Sequence, residues 1–122
     1  MKKILIVDDN DDIRFTLIDG LKSINSKYDF VDVGSGKEAL HVLGLQRIDL
    51  ILLDIMMPGM DGWDVSTRIK SNAEWKSIPI IFLTAVTDNV SKRMGKLVAE
   101  DYIEKPFEIT DLKKRMVKII GE

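Results

Sequence analysis

With no cysteine and a single histidine, His41, the chain has few nucleophiles and few soft metal ligands to draw on. Disulfides, thiolate metal sites and a cysteine nucleophile are excluded. Its chemistry must come from carboxylates, hydroxyls and amines. Five such side chains share one property: each follows a short apolar run. Asp8 and Asp9 follow Ile4-Leu5-Ile6-Val7, and Asp54 follows Leu50-Ile51-Leu52-Leu53. Thr84 ends the run from Pro79 to Leu83, and Lys105 comes shortly after Tyr102-Ile103. Three carboxylates brought together cannot all stay ionised without a counter-charge, so either one takes up a proton or a cation enters. An all-oxygen site with room for water suits Mg²⁺, with Mn²⁺ as a substitute, better than Zn²⁺. Met56 could join it through its backbone carbonyl, since its thioether is a poor ligand for a hard ion. A carboxylate beside Mg²⁺, facing an ammonium and a hydroxyl, is set up to accept a phosphoryl group. The ion and Lys105 would neutralise the transferring oxygens, and Thr84 would donate to one of them.

Only one kind of scaffold brings these residues to one place. The first, third and fourth apolar runs do not alternate, as expected of parallel strands covered on both faces. The run Phe30-Val31-Asp32-Val33 alternates partly, and Tyr102-Ile103 is very short, so both read as edge strands. Between the runs lie helical stripes. Ile13, Leu17, Leu21 and Ile24 make one; Val90, Met94, Leu97 and Val98 make a second; Ile109, Leu112, Met116, Ile119 and Ile120 make a third. Shorter helices are marked by Ala39, Leu40 and Leu43 after Ser35, and by Val65 and Ile69 after Asp61-Gly62. Asn10 to Asp12 suit a helix start, and Gly121 a helix stop. Strand and helix thus alternate five times. This predicts an α/β fold: a doubly wound, five-stranded parallel sheet of flavodoxin-like order 2-1-3-4-5, with helices on both faces. In such a sheet ligands bind beyond the carboxyl ends of the strands, where the five polar side chains collect.

The composition is consistent with one domain over residues 1–122. The 18 Lys+Arg against 20 Asp+Glu leave a net charge of −2, without the basic excess that direct nucleic-acid binding needs. No apolar run approaches the length of a membrane span, and the N-terminal run stops at Asp8, too soon for a signal peptide. A cytoplasmic location is expected. His41, the cluster Lys113, Lys114, Arg115 and Lys118, and the pair Asp11-Asp12 read as solvated side chains. The methionines at 56, 57, 60 and 94 read as loop and core packing, and Trp63 and Trp75 as packing that leaves them partly exposed.

Taken in order, Asp8-Asp9, Asp54 with Met57-Pro58-Gly59-Met60-Asp61-Gly62 behind it, Thr84-Ala85, and Tyr102 ahead of Lys105-Pro106-Phe107 resemble the response-regulator receiver domain of two-component signalling. The resemblance runs from Lys3 to the last helix. It implies that Asp54 is the phosphoacceptor, that Asp9, Asp54 and the Met56 carbonyl ligate Mg²⁺, and that Asp8 acts through water. It implies that Lys105 pairs with the phosphoryl group, that Thr84 moves towards it and that Tyr102 turns inward behind Thr84. Lys105-Pro106 resembles the family's cis peptide. The implied partners are a sensor histidine kinase or phosphotransfer protein on one side and a downstream protein target or fused output domain on the other. The domain itself would be a monomer or a weak, phosphorylation-dependent homodimer, with a changeable face around the fourth helix, fifth strand and last helix. Two departures from the pattern stand out. Val98 stands where the family often has Gly, and Met56 and Val86 are both apolar where side chains tune acyl-phosphate hydrolysis, which implies a long-lived phosphorylated state.

Two other readings use the same residues less well. A small Mg²⁺-dependent phosphatase with an aspartyl-phosphate intermediate would place an acid/base Asp two residues after the nucleophile, where this chain has Met56. A flavodoxin would need a hydroxyl- and Gly-rich phosphate loop after the first strand, where Asp8 to Asp12 would repel the ligand. With one domain filling the chain, either signalling proceeds by docking or the sequence is a piece of a longer regulator.

Overall fold

The computed structural model of the chain describes residues 1–24 and 27–121; of the unit read as 1–122, residues 25, 26 and 122 lie outside that description. Strands and helices alternate in the order β1 (Lys2–Val7), α1 (Asp11–Ile24), β2 (Tyr28–Val33), α2 (Gly36–Leu45) and β3 (Leu50–Leu53). There follow α3 (Gly62–Lys70), β4 (Ile80–Thr84), α4 (Asn89–Val98), β5 (Asp101–Glu104) and α5 (Ile109–Ile120). The strands form one sheet in the order β2-β1-β3-β4-β5, and every pairing is parallel. This is the doubly wound, flavodoxin-like α/β arrangement that the alternation predicts, with β2 and β5 at the edges.

Successive strand residues face opposite sides, and both sides are covered. Leu5, Val7, Ile51, Leu53, Ile80 and Phe82 pack against Ala39 and Leu43 of α2 and Val65 and Ile69 of α3. Ile4, Ile6, Leu50, Leu52, Ile81 and Leu83 pack against Leu17 and Leu21 of α1 and Leu112 and Met116 of α5. The non-alternating apolar runs are therefore two interleaved sets, one for each layer.

Helix ends are set locally. Asn10 accepts from the backbone N–H groups of Asp12 and Ile13, and Ser35 from that of Glu38. Asp61 and Asp64 form a reciprocal capping box at α3, and Asp88 accepts from the Ser91 N–H at α4. Gly62 lies so close to the chain leaving β3 that a Cβ there would sit 2.3 Å from the Asp54 carbonyl oxygen. Only glycine lets α3 start against that strand end, as the Gly62 N–H donates to the Ile55 carbonyl at 2.8 Å.

The stripe expected to bury α4 is overturned. Val90 is 66%, Met94 52%, Leu97 85% and Val98 38% exposed, and the residue of α4 that is buried is Gly95. Met94 is accordingly not core, whereas Met57 is buried and Met60 packs against the α2–α3 layer. The reason is positional. α4 approaches the edge strand β5 along a glycine, where no side chain fills the gap, so its apolar residues point elsewhere. Arg115 also differs from expectation. Instead of standing free in solvent it pairs with Asp101 at 3.0 Å and with Asp111 at 3.3 Å. His41 is exposed, and Trp63 and Trp75 are half-buried against the α2–α3 layer.

Candidate functional site

Parallel pairing puts Val7 beside Leu53, so the residues after these two strands are neighbours. The Asp54 N–H donates to the Val7 carbonyl at 3.0 Å, and the Asp8 N–H to the Val33 carbonyl at 3.2 Å. The two carboxylates are thereby fixed at one sheet edge, and both are buried. Asp9, the next residue, is exposed at the rim. Asp8, Asp9 and Asp54 each place a carboxylate oxygen within 4.8 Å of the others.

Lys105 enters from the far side of the sheet, past β5. Its Nζ lies 2.8 Å from Asp8 Oδ2 and 3.6 Å from Asp54 Oδ2. The Lys105-Pro106 peptide is cis. Asp8 is held from two sides, since its other oxygen accepts from the Asn10 N–H at 2.9 Å. Asp54 is less provided for. Its Oδ1 is the buried side-chain oxygen or nitrogen that lacks a hydrogen-bond partner among the described residues. Burial pushes the Asp54 carboxyl above its ordinary range; Lys105 opposes this, the Asp8 charge adds to it, and the Thr84 hydroxyl opposes it again without reversing the balance.

One ammonium faces three carboxylates, and one buried oxygen is unpaired. Hard oxygen donors with excess negative charge fit Mg²⁺, which takes few carboxylates and keeps several waters. Met56, whose carbonyl the sequence nominated, begins the loop that leaves this edge; its side chain is exposed and takes no part.

Thr84 ends β4 fully buried, and its Oγ1 accepts from the Val86 N–H at 3.2 Å. Tyr102 on β5 is already inside: it is 3% exposed, and its hydroxyl donates to the Val86 carbonyl at 2.6 Å. Burial raises its phenol above the ordinary value, and the charges of Asp88, Glu104 and Asp54 add to that. Its ring stands 5.9 Å from Phe82, which stands 5.1 Å from Trp63. The inward seat exists because α4 carries Gly95 there, where a Cβ would lie 2.3 Å from a ring carbon of Tyr102.

The structure thus gathers Asp8, Asp9, Asp54, Thr84 and Lys105 at one edge, and Tyr102 shares with Thr84 the backbone of Val86. Sequence reasoning missed two residues that shape this edge, Gly95 and Arg14. Gly95 interrupts an apolar stripe, which was the available signal. Arg14 offered none, because its partners Asp8 and Asp32 come from two different strand ends.

Comparison with known proteins bears on the family and the fold. The sequence model described as "Response regulator receiver domain" matches residues 4–117. The chain is 38% identical over 120 residues to "Probable transcriptional regulator ycf27" of Cyanophora paradoxa, covering 98% of this chain and 48% of that protein. It is 42% identical over 114 residues to "Probable cyclic di-GMP phosphodiesterase" of Vibrio cholerae, covering 93% of this chain and 25% of that protein. The chain therefore spans half or less of the length of these curated relatives. Among solved structures, the chemotaxis protein CheY4 of Vibrio cholerae superposes with a TM-score of 0.88 at 32% identity, covering 98% of both chains. A carboxylate-rich strand edge on a 2-1-3-4-5 sheet, matched along nearly its whole length, places the chain in the response regulator receiver domain family of two-component systems.

Proposed function

We propose that the unit spanning residues 1–122 is a phosphoryl-accepting switch rather than an enzyme acting on free substrates. Asp54 receives the phosphoryl group of a phosphohistidine on a sensor histidine kinase or phosphotransfer protein. The observation that carries this reading is Asp54 itself: a buried carboxylate with one unpaired oxygen, 3.6 Å from Lys105 and flanked by two further carboxylates. An Asp54 oxygen attacks phosphorus as the P–N bond of the donor breaks, and the imidazole leaves with a proton taken from the surrounding water. Asp9, Asp54 and the Met56 carbonyl would hold Mg²⁺, with Asp8 acting through water, and the ion would supply positive charge to the transferring oxygens. Lys105, now shared between Asp8 and Asp54, turns its ammonium to the same oxygens. Thr84 donates its hydroxyl to one of them. Because Thr84 and Tyr102 meet at the backbone of Val86, movement of one is felt by the other.

The exposed apolar residues of α4, next to β5 and α5, support a changeable docking face for a downstream protein or a fused output domain. We read the module as cytoplasmic, a monomer or weak phosphorylation-dependent homodimer, with no direct contact to nucleic acid. Among the described residues no helix is long and apolar enough to cross a membrane.

The test is incubation with Mg²⁺ or Mn²⁺ and acetyl phosphate, followed by intact mass. A single phosphoryl adduct is expected, absent in Asp54→Asn and absent with EDTA. Because Met56 and Val86 offer no polar side chain to orient water, the adduct should persist well beyond seconds after the donor is removed. An adduct that survives Asp54→Asn would overturn the assignment. Rapid turnover of many phosphate esters would favour the phosphatase reading instead.

A further inference from the structure

Arg14 lies in the first part of α1 and does not touch the reacting groups, yet its guanidinium joins three segments around them. Nε donates to Asp32 Oδ2 at 2.8 Å, where Asp32 lies near the end of β2. Nη1 donates to the Asp8 carbonyl at the exit of β1, and Nη2 pairs with the Asp11 carboxylate at the start of α1. The side chain is 13% exposed. The bare backbone of Gly34 leaves room for it, since a Cβ there would sit 3.2 Å from Nη1.

The carbonyl that Arg14 holds belongs to the peptide joining Asp8 to Asp9. A peptide is planar, so fixing its oxygen fixes the direction in which the chain enters Asp9. This matters because the two aspartates are held differently. The Asp8 carboxylate is pinned by the Asn10 N–H and by Lys105. The Asp9 carboxylate is exposed, and no hydrogen bond or ion pair with another described residue orients it. Asp9 is aimed by its backbone, and Arg14 is the side chain that grips that backbone.

We propose that Arg14 is a positioning residue for the divalent-cation site. It sets the Asp8–Asp9 peptide so that Asp9 faces Asp54, and Asp32 keeps the guanidinium in register from the neighbouring strand. This inference rests on the Mg²⁺ reading given above. A planar fork with several fixed donors serves three acceptors in three directions; the compact ammonium of lysine does not. Partners behind a metal ligand typically change metal affinity by about 10–100-fold when removed.

Calorimetric titration of MgCl2 into the phosphoryl-free protein reads the effect directly. Arg14→Ala should weaken Mg²⁺ binding by about tenfold or more. Arg14→Lys should fail to restore it, and Asp32→Asn should show a smaller loss in the same direction. Melting temperatures without Mg²⁺ are taken alongside, with Met116→Ala as a control that lowers stability from the far layer and should leave Mg²⁺ affinity unchanged. If Arg14→Ala does not fold, Arg14→Lys and Asp32→Asn carry the same comparison. Wild-type affinity in folded Arg14 variants would overturn the proposal while leaving the cation site intact. Absence of Mg²⁺ binding by the wild type itself, or its survival in Asp9→Asn, would overturn the cation reading and this inference with it.

Discussion

Asp54 carries a conflict between folding and chemistry. Burial disfavours its charged form and the Asp8 charge adds to that, while Lys105, shared with Asp8, compensates only in part. The folded protein therefore holds the Asp54 proton to a higher pH than the unfolded chain does. Between the ordinary carboxylate range and that raised value the native state binds the extra proton, so stability falls as pH rises through the window. Asn at this position has nothing to ionise. In EDTA, Asp54→Asn should melt above the wild type at neutral pH, with the margin shrinking towards about pH 4, where the unfolded carboxyl also takes up its proton. On the proposed cation site, saturating Mg²⁺ should raise the wild-type midpoint, as a ligand of the native state does. Thermal scans across pH with and without Mg²⁺ check this; a margin independent of pH would contradict it. The site residues were legible because each ends a strand, and strand ends follow from apolar runs. Arg14 was not, because an arginine near a helix start looks like any solvated side chain until the neighbouring strand is placed.

At the scale of the element, α4 shows where periodicity misleads. Val90, Met94, Leu97 and Val98 have helical spacing, and spacing alone cannot say whether a face is covered. Gly95 decides the matter by letting the Tyr102 ring lie against the helix backbone. This makes a signed prediction. In a helix interior Gly→Ala ordinarily stabilises by about 1 kcal/mol. Here the added methyl meets the ring, and overpacking of this kind costs about 1–3 kcal/mol. Gly95→Ala should therefore be destabilising in the wild type and stabilising, by about 0.5–1 kcal/mol, in a Tyr102→Val background where the ring is gone. Urea denaturation of the four proteins gives the cycle. The same sign in both backgrounds would mean that the ring does not depend on the glycine. The other helices were readable because their stripes meet strands that need covering: Leu17 and Leu21, Val65 and Ile69, Leu112 and Met116 are all buried.

The whole molecule is one sheet serving two cores, and this sets how it must unfold. Neighbouring residues of β1, β3 and β4 belong to opposite layers, Leu5 and Val7 to one and Ile4 and Ile6 to the other. Neither layer can lose its strands without stripping the other, so the two should melt as one cooperative unit despite having no shared side chains. The tryptophans make the claim testable. Trp63 and Trp75 both pack against the α2–α3 layer, whereas Leu112 is fully buried in the α1–α5 layer across the sheet. Leu112→Ala should cost about 2–5 kcal/mol. If the sheet couples the layers, the loss must appear equally in tryptophan fluorescence, which reports the undisturbed layer, and in far-UV circular dichroism, which reports both. Denaturant midpoints that shift together satisfy the argument; a fluorescence midpoint left at the wild-type value would show two separately melting cores. The same coupling bears on the proposed switch. Asp54 follows β3 and Thr84 ends β4, two strands whose alternate residues enter both layers, so charge arriving at their shared edge acts on a frame that both cores keep rigid. On the proposed reading, the response falls to the groups at the rim of that frame, Thr84 and Tyr102, which meet at the Val86 backbone.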